Sequence, residues 1–154
     1  MNETFDYEAL QKKISSIPDI TDRRTAFLKD TIEFYNSNNR ATTTEGCIYR
    51  ATYSSPGCAI GRCLPRDSKV FERELVEHFC NVDTLIEKEI ELPQWLLDMD
   101  DGVRPSQPVQ FLGDVQGLHD TEYYWDEDGL SVEGKRETNE IISKYKLDMP
   151  LFKI

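Results

Sequence analysis

Residues 47–64 read CIYRATYSSPGCAIGRCL, and this stretch decides between an all-helical chain and a mixed one. Cys47-Ile48-Tyr49-Arg50-Ala51-Thr52-Tyr53 is rich in β-branched and aromatic residues, which fit a pleated strand. Ser54-Ser55-Pro56-Gly57 then supplies turn formers, because proline presets φ and glycine accepts positive φ. Cys58-Ala59-Ile60-Gly61-Arg62-Cys63-Leu64 can return as the second strand. The expectation is one antiparallel hairpin over about residues 46–64. A lone two-stranded hairpin is marginal in water, so it has to lie against helices, with Tyr49 or Tyr53 packed on one of them.

Helical patterns surround this stretch. Phe5 to Ser16 carries Leu10 and Ile14 one turn apart and stops before Pro18. Asp19 or Thr21 can cap a second helix, on which Phe27, Thr31 and Phe34, and beside them Leu28, Ile32 and Tyr35, recur at i, i+4, i+7. Asn36-Ser37-Asn38-Asn39 ends it. A third helix is expected from Ser68, with Phe71, Leu75 and Phe79 on one face. A short one follows at Leu92–Leu97, with Pro93 in its first turn. Asp98 to Pro105 reads as a polar loop. Pro108 suits the first position of another helix, whose buried stripe is Phe111, Val115 and Leu118. Tyr123-Tyr124-Trp125 leads to the acidic turn Asp126-Glu127-Asp128-Gly129. Ser131 can cap a last helix bearing Ile141, Ile142 and Tyr145, with Arg136/Glu140 and Glu140/Lys144 as i, i+4 pairs. The fold class read from this order is α+β: one mostly helical domain over residues 1–154 with a small antiparallel β-hairpin.

The composition agrees with that reading. A chain of 154 residues is the usual size of one domain and buries about two thirds of its unfolded surface, so no metal or disulfide is needed for folding. Charged residues make up 31%, above the roughly 25% of average soluble domains. Met1-Asn2-Glu3-Thr4-Phe5-Asp6 has no basic stretch followed by an apolar one, and no run approaches the ~18 apolar residues of a membrane span. A cytoplasmic location is therefore expected, with four cysteines as thiols and no membrane partner. The formal net charge of −11 argues against direct nucleic-acid binding, because phosphate contacts supply most of that affinity.

Charge is unevenly spread. Residues 40–66 hold Arg40, Arg50, Arg62 and Arg66 against Glu45 alone, a net of +3. Residues 83–128 hold thirteen acids against Lys88 and Arg104, a net of −11. Arginine's planar fork grips phosphate or carboxylate in pairs of hydrogen bonds, and Tyr49 and Tyr53 can stack a base. Arg40, Tyr49, Arg50, Tyr53, Arg62 and Arg66 are thus candidate contacts for a small anionic or nucleotide ligand, with Arg50 and Arg62 on adjoining strands. The plainer reading pairs these arginines with the protein's own acids. The acidic region has two readings as well, a solubilising surface or a docking face for a basic protein. Asp126-Glu127-Asp128-Gly129 does not match the spacing of a calcium loop.

Cys58, after a glycine at a turn, can serve as a nucleophile, with His119 as base and Asp120 or Asp114 orienting it. Neighbours 119 and 120 diverge on a continuing helix, which weakens Asp120 as orienter. The alternative is a buried thiol and a capping histidine. Zinc ligation by Cys58 and Cys63 with His78 and Cys80 fails on spacing, so neither metal nor cofactor is expected.

Gly46-Cys47-Ile48-Tyr49, Cys58-Ala59-Ile60-Gly61 and Val115-Gln116-Gly117-Leu118-His119-Asp120, with Trp125 beyond, resemble a group of small proteins of tailed phages and prophages. The resemblance covers roughly residues 22–146 and departs from the pattern between Cys80 and Pro105. It implies a phage accessory protein working in host cytoplasm, of the kind that blunts host defence or redirects host machinery, and it carries no catalytic residue. Two functions compete. One is a stoichiometric binder of a small anionic ligand or a basic host protein, with self-association left open. The other is a thiol-dependent hydrolase or transferase built on Cys58 and His119.

Overall fold

The computed structural model describes residues 7–40, 42–43, 46–49, 56–74, 77, 81–100 and 109–154 of the chain. Helices dominate, with short antiparallel strand pairs between them. Helix α1 is Glu8–Ser15, and α2 is Ile20–Phe34. The Asp19 carboxylate accepts from the Thr21 N–H and starts α2 as expected of a capping aspartate. Phe27, Leu28 and Thr31 form the buried face of α2. The Asn39 side-chain amide donates to the Phe34 carbonyl at 2.8 Å, and the Asn36 carboxamide accepts from the Asn38 and Asn39 N–H groups. These asparagines satisfy the frayed end of the helix and turn the chain away.

The hairpin lies earlier in the chain than its composition indicates. Strand β1, Thr42–Thr43, pairs with β2, Gly46–Cys47, in the register Thr42↔Cys47 and Thr43↔Gly46. The expected return strand is not a strand: after a turn at Ala59 and Ile60, residues Gly61–Cys63 form a 3₁₀ helix. All residues from Pro56 to Leu64 are buried. A buried segment has to satisfy its own peptide groups, and this one does so locally, with Arg62 N–H donating to the Cys58 carbonyl and Leu64 N–H to that of Gly61. A glycine is required here, since a Cβ on Gly61 would stand 2.0 Å from the Tyr49 carbonyl oxygen. The tight turn thus lies flush on the backbone that follows β2. Residues 50–55 lie outside the described residues.

Helix α3, Lys69–Arg73, is shorter than expected. Ser68 caps it and Val70 is its buried residue, while Leu75 and Phe79 lie outside the described residues. Helix α4, Val82–Glu87, was not expected; Asn81 caps it and Val82 and Leu85 are buried. Helix α5, Gln94–Leu97, follows Pro93 and runs into a 3₁₀ helix over Asp98–Asp100 where a loop was expected. Helix α6 is Phe111–Asp120, and its buried residues include Phe111, Val115 and Leu118. A 3₁₀ helix over Glu122–Tyr124 leads to a second hairpin, β3 (Trp125–Asp126) with β4 (Gly129–Leu130). Helix α7, Val132–Tyr145, is capped by Ser131 and buries Ile141 and Ile142 against the core. Its charge pairs differ from the i, i+4 expectation: Arg136 pairs with Glu133, and Lys144 reaches Asp114 of α6 at 2.8 Å.

Helix α6 carries the buried histidine, and its start is fixed by two carboxylates from elsewhere in the chain. Asp100 accepts from the N–H groups of Gln110 (2.9 Å), Phe111 (2.7 Å) and Leu112 (3.1 Å), and Asp83 from that of Val109 (2.9 Å). An anion at a helix N-terminus satisfies orphan donors and complements the dipole. Asp100→Ala is expected to cost about 1–2 kcal/mol, seen as a lower urea midpoint with an unchanged m-value; Asp100→Asn should recover part of it.

Candidate functional site around Arg62 and His119

The sequence picks out two groups of residues, the arginine-rich segment and the Cys58/His119/Asp120 set, and the fold buries Tyr49 and Arg62 of the first and Cys58 and His119 of the second. Arg62, on the 3₁₀ helix, is 4% exposed. Its guanidinium makes an ion pair with Asp30 of α2 at 2.8 Å and lies over the Phe34 ring at 3.8 Å from the centroid, with Tyr7 and Tyr35 also around it. The Gln11 side chain of α1 donates to the carbonyls of Arg62 and Leu64. Arg62 therefore takes the plainer of its two readings, a cation paired within the protein. It stands on a 3₁₀ helix and not on a strand, enclosed by Asp30 and these rings.

Tyr49 is 1% exposed, and its hydroxyl accepts from the Gln116 amide at 3.0 Å, so it is a core residue and not a stacking surface. Arg40 is half-buried and donates to the His119 carbonyl at 2.9 Å. Burial lowers the Arg40 pKa, against the opposing effect of Asp120 and Glu122. Arg66 is exposed just before α3. Arg50 and Tyr53 lie outside the described residues.

Cys58 and His119 are each 0% exposed. The Cys58 Sγ receives the Gly61 N–H at 3.4 Å and the Gln116 amide at 4.0 Å. The His119 ring stands edge-on to Tyr35, centroids 4.5 Å apart, and its Nδ1 meets Asp120 Oδ1 at 2.7 Å. Asp120 does orient the histidine, contrary to the helical argument, because α6 ends there and Thr121 is already extended. The thiol, however, is served by Gln116, one turn earlier on the same helix. A nucleophile needs its base within hydrogen-bond reach and a path to substrate, and a fully enclosed sulfur has no such path. Cys58 and Cys63 are free thiols, and burial pushes the Cys63 thiol pKa well up.

What this cluster does is join elements. Tyr35 donates to the Gly57 carbonyl at 2.6 Å and packs against both His119 and Trp125, whose indole N–H donates to the Leu118 carbonyl. α2, the buried turn, α6 and β3 are held by one set of rings and hydrogen bonds.

The acidic region divides in two. Asp83, Asp100, Asp114 and Asp120 are engaged within the fold. Glu87 at the end of α4, Glu89 and Glu91 beyond it, and Glu122, Asp126, Glu127 and Asp128 around the second hairpin are exposed. In the same stretch of chain as the latter group are two exposed side chains that the sequence does not mark as exposed, Tyr123 at 64% and Val132 at 54%. Three successive aromatics, Tyr123-Tyr124-Trp125, were the available signal, since a chain cannot turn all three to one buried face. No protein-family model, curated protein or solved structure matches the chain.

Burial holds the His119 pKa below its ordinary value of about 6.5, with Arg40 and Arg62 pushing the same way and Asp120 opposing. A histidine with a depressed folded pKa contributes stability that is present above the unfolded value and lost as pH falls through the folded one. The urea midpoint should thus fall as pH is lowered from ~6.5, ahead of carboxylate titration. His119→Gln should flatten that part of the profile, whatever its effect at neutral pH.

Proposed function

We propose that the protein is a stoichiometric binding protein that engages a basic protein surface through its acidic face. On the phage resemblance, it would act in host cytoplasm and antagonise a host defence or redirect host machinery. The observation that supports this reading is the exposure of Tyr123 and Val132 in the same short stretch of chain as the exposed carboxylates of Glu122, Asp126, Glu127 and Asp128. An exposed aromatic ring and exposed carboxylates on one segment suit a lysine or arginine side chain, through cation–π and charge-assisted contacts. Excess negative charge also speeds encounter with a basic partner.

The surface is prebuilt. Trp125 anchors β3 by its indole bond to Leu118, the Ser37 N–H donates to the Asp126 carbonyl at 2.8 Å, and Ser131 Oγ donates to the Tyr123 carbonyl at 2.7 Å. Gly134 lets the first turn of α7 close on this segment, since a Cβ there would stand 2.1 Å from the Tyr124 carbonyl oxygen. Rigid presentation lowers the ordering cost of binding. The alternative of a small anionic ligand loses Arg62 and Tyr49 to the interior and keeps Arg40, Arg50, Tyr53 and Arg66. The thiol-enzyme alternative meets the enclosure of Cys58 and His119.

Affinity capture from bacterial host lysate should retain a basic protein, with binding that weakens as salt is raised. Tyr123→Ala combined with Glu127→Lys should abolish capture while leaving the free energy of urea unfolding within about 0.5 kcal/mol, as surface changes do. Capture unaffected by that variant would sink the acidic-face reading. Stabilisation by nucleotides that Arg66→Ala or Arg40→Ala removes would move the function to the anionic ligand.

A further inference from the structure

A groove of about 560 Å³ opens between α2, the β3–β4 hairpin, the first turn of α7 and the segment after α7. That volume falls within the roughly 300–1,000 Å³ of small-ligand sites. Its partly buried lining is apolar, from Ile32 of α2, Leu130 of β4, and Met149 and Phe152 beyond α7. Charge of both signs lines it as well: Lys29 and Glu33 from α2, Lys135 from α7, and Asp126 and Asp128 from the hairpin.

Those charges do not neutralise one another. Among the described residues, ion pairs within 4 Å between residues three or four apart on one helix form at Lys12/Glu8, Lys69/Glu72 and Arg136/Glu133. Lys29 and Glu33 share that spacing on α2 without such a contact, and Lys135 and Asp128 have none either. The walls are nonetheless fixed. The Asn139 carboxamide donates to the Phe152 carbonyl at 2.9 Å and accepts from its N–H at 2.7 Å, and Thr25 Oγ1 accepts from the Asp148 N–H. A residue whose N–H and C=O both meet one partner is extended, so the wall after α7 is held much as a strand is held by its neighbour.

We propose that this groove binds a small apolar zwitterion: an amino acid or short peptide with free ammonium and carboxylate ends and hydrocarbon side chains. A purely anionic ligand would meet Glu33, Asp126 and Asp128, and a purely cationic one would meet Lys29 and Lys135. A neutral apolar ligand would desolvate charges on both sides without compensation. A zwitterion answers both signs, its carboxylate toward the lysines and its ammonium toward the acids, while its side chains cover Leu130 and Met149. The groove adjoins the acidic face at the hairpin but does not depend on a protein partner there.

The test is an NMR titration of the full-length ¹⁵N-labelled chain with the dipeptide phenylalanyl-leucine, against its N-acetylated, C-amidated form. The free dipeptide should shift the amides of residues 29–33, 128–135 and 149–152. The capped form should bind at least about tenfold more weakly, since each end loses a charge-assisted contact. Lys135→Met with Glu33→Gln should weaken the free dipeptide by a similar factor, and Lys12→Met should not. Three results would overturn the proposal: no shifts at millimolar dipeptide, equal binding of the capped form, or shifts scattered outside the groove. Because the free and capped forms are compared on the wild-type chain, the outcome stands even if the double variant folds poorly.

Discussion

A guanidinium in the interior is the constraint around which this fold is arranged. Removing Arg62 from water costs several kcal/mol unless charge and ring faces replace the solvent. Asp30 and Phe34 supply both from α2, four residues apart on one face of that helix. Tyr7 and Gln11 close the cluster from the other side, Gln11 by holding the carbonyls on either side of Cys63. Burial also pushes the Tyr7 pKa above its ordinary value, so it stays a neutral donor to the Pro56 carbonyl. A lysine could not take this place, because its compact ammonium does not stack flat on rings.

From this cluster the dependence runs outward through Tyr35. The residue that ends α2 also holds Gly57, the His119 ring and Trp125, so the position of α6 and β3 follows from how α2 meets the buried turn. Asp100 and Asp83 then fix the opposite end of α6. The acidic hairpin is presented from a frame set at both ends of one helix.

Local signals served the sequence reading well wherever a helix has its own cap. Asp19, Ser68 and Ser131 each accept from a backbone N–H two or three residues on, and each was readable because capping is local chemistry. Asn81 carries the same signal for α4 and was missed, since Val82 and Leu85 alone make too short a stripe to stand out. Residues 58–64 misled for a different reason. Their composition allows a strand, but what decides their shape is an ion pair to Asp30 and a close approach to Tyr49, partners distant in sequence that no local pattern shows. The same holds for Lys144, drawn to Asp114 and away from Glu140. At the site, residues 119 and 120 diverge only on a continuing helix, and α6 ends at Asp120.

The uneven charge of the sequence takes on a different meaning once folded. Arg23 is 8% exposed and donates to the carbonyls of Ile17, Trp95 and Ser15; Arg24 donates to Met99 and covers Phe111 and Tyr145; Arg40 donates to His119. With Arg62, these arginines act as internal ties to main-chain carbonyls, a use that suits a fork of five donors. Cations spent inward leave the outward field to the carboxylates. The basic island that residues 40–66 suggest is thus part of the interior at Arg62, and at half-buried Arg40 it is tied to the main chain of α6. The acidic surface is the complementary result: a chain that commits Arg23, Arg24, Arg40 and Arg62 to main-chain and ring contacts has fewer cations left to offset its exposed acids.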